Sequence, residues 1–257
     1  MIGLEDSPKR DLWQVISLFV LVVILLIGIY FGETALGMGE ISQIAVQEIL
    51  LFIIFFGLNY FWTKQPVKLG LTVSFRKLIP ISVPIIVIVL FILFIMLGKH
   101  TTHTMVLATV SGLGAGIFEE YLFRGIILGK LLKVFSGPSK GKTIAYAVIV
   151  TSLLFGCIHA VNSASQSIPE TGIQILNAAF LGAILAALYL RSGSIIAPML
   201  FHGCWDFTTF VVTGSTTLAS GSTSIAPVIG LWVVFLLIAL YYLRKSKIKE
   251  IDLKHFE

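Results

Sequence analysis

The chain has 257 residues, of which 57% are hydrophobic and 12% charged, whereas soluble domains average roughly 25% charged. So few charges cannot coat a water-soluble fold of this length, which excludes a soluble globular class and implies an integral membrane protein embedded in a lipid bilayer. The net charge of +5 does not point to nucleic acid, because the basic residues lie between apolar runs, where lipid headgroups and the positive-inside rule account for them.

Eight apolar runs are long enough to cross about 30 Å of hydrocarbon. They lie near 12–31, 43–62, 79–98, 104–133, 143–161, 172–190, 194–212 and 225–243. The pattern predicts an all-α, polytopic membrane bundle of about eight transmembrane helices. No internal repeat or low-complexity tract divides it, so 1–257 reads as a single transmembrane domain with a motif-bearing core at about 104–212. The first run, Leu12 to Phe31 after Lys9 and Arg10, exceeds the roughly 7–15 residues of a signal-peptide core. It is expected to be a retained span.

With eight crossings and a cytoplasmic N-terminus, all 18 lysines and arginines except Lys99 and Arg124 fall in cytoplasmic segments. Glu33, Glu40 and Glu170 then flank outer loops. The positive-inside rule therefore places both termini in the cytoplasm. The two cysteines, Cys157 and Cys204, form no Cys-x-x-Cys pair and indicate neither a disulfide framework nor a thiolate zinc site; each is expected to be a small buried hydrophobe.

Three polar clusters interrupt the apolar runs. A charged side chain near a bilayer centre costs about 2.5–3.5 kcal/mol, so such groups are expected to face the bundle interior and mark a pathway or a reaction site. The first cluster is Glu119-Glu120 with Arg124, the second His159 four residues after Phe155, and the third His202 with Asp206. At about 1.5 Å rise per residue, Glu119, His159, His202 and Asp206 stand about 21, 24, 12 and 18 Å above the cytoplasmic ends of their helices. Within the blur of helix ends they share one level, and periodicity predicts a common cavity.

Spacing refines each cluster. Glu120 and Arg124 lie four apart on one helix face and can neutralise each other. Glu119 is left about 100° round the helix without a local partner. His202 and Asp206 are also four apart, so the aspartate is expected to orient or charge the imidazole. Pro198 is expected to kink this helix. The small residues of Ser111-Gly-Leu-Gly-Ala-Gly116 would let neighbouring helices approach closely. Gln174 and Asn177 are expected only to bridge helices, and His100 and His103 to sit in an outer loop outside the chemistry.

Glu-Glu-x-x-x-Arg, Phe-x-x-x-His and His-x-x-x-Asn/Asp, in this order on successive membrane helices, resembles the CPBP family. This is the group of CAAX proteases and bacteriocin-processing or self-immunity proteins also called the Abi family. The resemblance covers about residues 104–212. It implies an intramembrane endopeptidase acting on a small or membrane-tethered peptide or protein, in a bacterial cell membrane. Glu119 would be the general base for a water, His159 would share or steer the proton, and His202 and Asp206 would face the substrate carbonyl. Glu120 and Arg124 would support them. Many relatives carry asparagine where this chain has Asp206. An ionised aspartate repels an oxyanion, so Asp206 either stays protonated, supports a charged His202, or helps to hold a metal. Glu119, His159, His202 and Asp206 would suit zinc with an open water position, while the two glutamates already supply a base and an ion pair without it. The alternative within the resemblance is a non-enzymatic bacteriocin self-immunity protein or signalling scaffold. A proton-coupled transporter would call for inverted repeats and broken helices, which the sequence does not display.

Overall fold

A computed structural model describes residues 7–214 and 225–256, and among these the chain is helical without a strand. The helices are α1 (Pro8–Ala35), α2 (Glu40–Thr63), α3 (Phe75–Ile95), α4 (Thr102–Val134), α5 (Lys140–Ala164) and α6 (Ile168–Ser192). They are followed by α7 (Ile196–Thr213) and α8 (Ile225–Tyr242), with a short α9 (Lys245–Ile248) after the last. All the expected runs appear as helices, but only seven are both long and apolar enough to cross a membrane. The exception is α7, where His202 and Asp206 dilute the apolar character. It is packed against α3, α4 and α6, so protein neighbours rather than lipid satisfy its polar face.

Local chemistry sets the boundaries. Ser167 and Glu170 form a reciprocal capping box at the start of α6, and Gly193, at φ +75, ends that helix in the left-handed region where a Cβ is disfavoured. Pro198 does not kink α7: it falls in the first turn of the Ile196–Thr213 helix, where its missing N–H is one that would go unpaired anyway. Proline acts instead in α3. Pro84 cannot donate to the carbonyl of Pro80, and that freed oxygen accepts the Tyr242 hydroxyl at 2.8 Å, tying α8 to α3.

Close crossings explain the small residues. A Cβ on Gly112 would stand 2.6 Å from the Gly203 carbonyl oxygen, and one on Gly116 would stand 2.8 Å from that of Met199. Backbone contact at these positions brings α4 against α7. At one end of the bundle, Lys130 donates to Asp11 at 2.8 Å with both side chains almost wholly buried. Near the C-terminus, Gln65 donates to the Phe256 carbonyl, and Glu250 pairs with Lys77, Arg191 and Lys247. The Lys247 hydrogen bond, helped by Arg191, pulls the Glu250 carboxyl down to about 2.

Candidate active site

The site begins with a departure from regular helix. Within α4, Ala115–Glu119 and Tyr121–Leu128 are π-helical, a wider turn that recurs at functional sites. It carries the consecutive glutamates to the same histidine. Glu120 is wholly buried and accepts a hydrogen bond from Arg124 Nη1 at 2.6 Å. The same oxygen, Oε1, lies 2.9 Å from His202 Nδ1. Glu119, the more exposed of the two, places Oε2 3.8 Å from His202 Nε2. Asp206 Oδ2 also lies 3.8 Å from Nε2.

This geometry revises one expectation. Asp206 was expected to orient or charge His202; the hydrogen-bonded partner that orients it is Glu120, while Asp206 stays within ion-pair reach of Nε2. A carboxylate only accepts, so Nδ1 carries a proton and Nε2 is turned toward Glu119 and Asp206. Glu120 and Arg124 thus hold the imidazole rather than merely cancelling each other.

Phe155 organises the cationic side. The Arg124 guanidinium sits 4.2 Å from its ring centroid, a contact worth about 2 kcal/mol when desolvated. His159 and His202 both meet the same ring edge-on, at 5.6 and 5.5 Å. His159 ends the α-helical part of α5 and opens a tighter turn, His159–Ala164.

Glu119, His159, His202 and Asp206 line one cavity of about 290 Å³, together with Gln174 and Asn177 of α6. The two amides do bridge helices, Gln174 to Asn162 and Asn177 to Trp232, but they also face the cavity. His100 bonds the Ile95 carbonyl, closing the end of α3; neither it nor His103 lines the cavity. The cysteines are not buried as expected: Cys157 is exposed, and Cys204 is half-buried at the edge of the core.

One acidic residue escaped the motif reading. Glu48 of α2 lies across Gly114, where a Cβ would come 2.4 Å from its Cγ. Its Oε2 is buried without a hydrogen-bond partner among the described residues, and Glu119, Asp206 and His202 are its electrostatic neighbours. The signal was a lone carboxylate inside the apolar run 43–62.

No group of three His, Cys, Asp or Glu side chains among the described residues stands close enough to hold a metal ion. His202 Nδ1 is engaged by Glu120.

An apolar groove of about 780 Å³ runs between α3, α7 and α8 and shares Trp205, Leu231 and Phe235 with the polar cavity. Comparison with curated proteins and with solved structures finds no match. Comparison with family models finds one: residues 101–208 match the family described as Rce1-like, type II CAAX prenyl endopeptidase. The matched stretch contains every residue of the three polar clusters. Residues 101–208 are thus similar to the CPBP/CAAX protease family, and they lie within a bundle of helices of which seven are long and apolar enough to cross a membrane.

Proposed function

We propose that the protein hydrolyses a peptide bond by glutamate-activated water, without a resident metal, in a substrate tethered to the membrane. Glu119 is the general base: it faces the cavity, and unlike Glu120 its oxygens are not committed to Arg124. His202, held through Nδ1 by Glu120, keeps Nε2 at the reaction centre and steadies developing negative charge. His159 receives or relays the proton needed by the leaving amine. Asp206 balances the charge of His202.

The observation that carries this reading is the convergence of Glu119 and His202 at 3.8 Å in a cavity that also takes in His159 and Asp206. The adjoining apolar groove supports a tethered substrate, since a lipid chain or apolar segment lying there would bring its polar neighbour to Glu119. The charge pattern supports both termini on the cytoplasmic side, and the family resemblance supports a bacterial cell membrane.

The test uses purified protein in lipid vesicles with a fluorogenic peptide bearing an isoprenylated cysteine near its C-terminus, and the same peptide unlipidated. Glu119→Gln and His159→Ala should each abolish cleavage while the protein remains folded, and a zinc chelator should leave wild-type activity intact. Cleavage that survives both substitutions refutes the reading; loss of activity with the chelator, restored by added zinc, replaces the glutamate mechanism with a metal-dependent one.

A further inference from the structure

Peptide hydrolysis by water generates an oxyanion, which His202 Nε2 meets from one side in surroundings otherwise rich in acceptors. Asp206 and Glu119 are acceptors when ionised. His202 Nε2 is shared between them, 3.8 Å from each, so its proton is drawn toward two carboxylates. The cavity-lining hydroxyls of Thr209 and Thr213 already donate to the carbonyls of Trp205 and Thr209.

The wall formed by α6 is different. Asn177 lines the cavity, and its Oδ1 accepts the indole N–H of Trp232 from α8. An indole nitrogen can only donate, so the amide cannot be turned round: the oxygen faces Trp232 and the NH₂ is left over. That NH₂ has no hydrogen-bond partner among the described residues and keeps some accessible surface, on a side chain that lines the cavity. Trp232 is itself stacked on Phe180 of α6, with ring planes 15° apart, which fixes the indole that fixes the amide.

We propose that Asn177 is an oxyanion donor of this site, a neutral amide pinned by Trp232 and aimed into the cavity that holds Glu119 and His202. The inference rests on the hydrolytic reading above. In the step it serves, the water oxygen bonds to the substrate carbonyl carbon and gives its proton to Glu119. The carbonyl π pair moves onto oxygen, where the Asn177 N–H groups receive it. When the C–N bond breaks, that pair returns to re-form the carbonyl and the amine departs with a proton. A donor fixed in advance needs no reorganisation as charge develops, and removing one such donor from other hydrolases costs about 10²–10³-fold in kcat.

The experiment measures kcat and KM separately for wild type, Asn177→Ala and the nearly isosteric Asn177→Asp, using the isoprenylated peptide in vesicles, with thermal unfolding as the control for folding. The expected result is a fall in kcat of about 100-fold or more in both variants, with KM changed by no more than a few-fold. A purely structural role would instead lower the unfolding temperature and leave the kcat of the folded fraction unchanged. Wild-type kcat in folded Asn177→Asp overturns the proposal even if the alanine variant fails to fold. A wild-type protein that cleaves neither peptide removes the hydrolytic reading and this inference together, whereas an active wild type with an unaffected Asn177→Asp removes this inference alone.

Discussion

Arg124→Met is the most discriminating perturbation of the site's scaffold. Arg124 and Glu120 are both wholly buried and 2.6 Å apart, so neither charge has water to fall back on. Removing one partner of such a pair costs about 3–5 kcal/mol, because the survivor is left desolvated and uncompensated. Methionine fills much of the aliphatic stem's space, so the loss is chiefly electrostatic, with a further contribution from the Phe155 ring contact. Glu120→Gln should be costly for the complementary reason, since it strands the guanidinium. The double variant Glu120→Gln/Arg124→Met removes both charges, and the new amide oxygen can still accept from His202. Its cost should therefore fall short of the summed single costs by at least about 2 kcal/mol, within the coupling range of residues in direct contact. Reversible unfolding in mixed micelles measures all four corners of the cycle. A single-variant cost below about 1 kcal/mol, or additive single costs, would refute the view of this pair as a desolvated brace for His202.

Gly112→Ala should destabilise by about 1–3 kcal/mol through overpacking, because its Cβ meets the Gly203 carbonyl at 2.6 Å; Gly28→Ala, with open space around it, should not, and unfolding of the two side by side checks this. Lys130→Met should cost about 3–5 kcal/mol by stranding buried Asp11, with Asp11→Asn/Lys130→Met recovering much of it. The Glu250 contacts make the C-terminal segment acid-sensitive. Its carboxyl is depressed to about 2 by Lys247 and Arg191, so the stabilisation is fully present above the ordinary carboxyl range near ~4.3. It fades as the pH falls from there toward 2, and Glu250→Gln should abolish that dependence in amide exchange of residues 245–256. His103→Ala should leave cleavage unchanged, since that side chain does not line the cavity.

Composition and hydrophobic run length gave the membrane class and placed eight helices within a few residues of their observed ends. They did so because a segment in hydrocarbon must satisfy its own backbone, which leaves few architectures open. The motif spacing likewise brought out Glu119, Glu120, Arg124, His159, His202 and Asp206 as residues with an interior role. A charge that costs kilocalories in lipid has to face the interior, and this can be read without coordinates. Pro198 shows the limit: proline bends a helix only from its interior, and where α7 begins depends on how Gly193 and Ser194 turn the chain.

Which groups actually pair was decided by the tertiary structure. Helical periodicity assigned His202 to Asp206, four residues away, yet the bonded partner is Glu120, 82 positions distant. A π-helical turn in α4 and glycine-mediated contact with α7 bring the two helices close enough to exchange partners. Glu48 joins the acidic group only because α2 lies over Gly114, and the Asn177 amide oxygen is engaged only because Trp232 arrives from α8. One-dimensional spacing fixes the face of a helix on which a side chain lies; what stands opposite that face depends on helix crossings, which are set by the packing of the whole bundle.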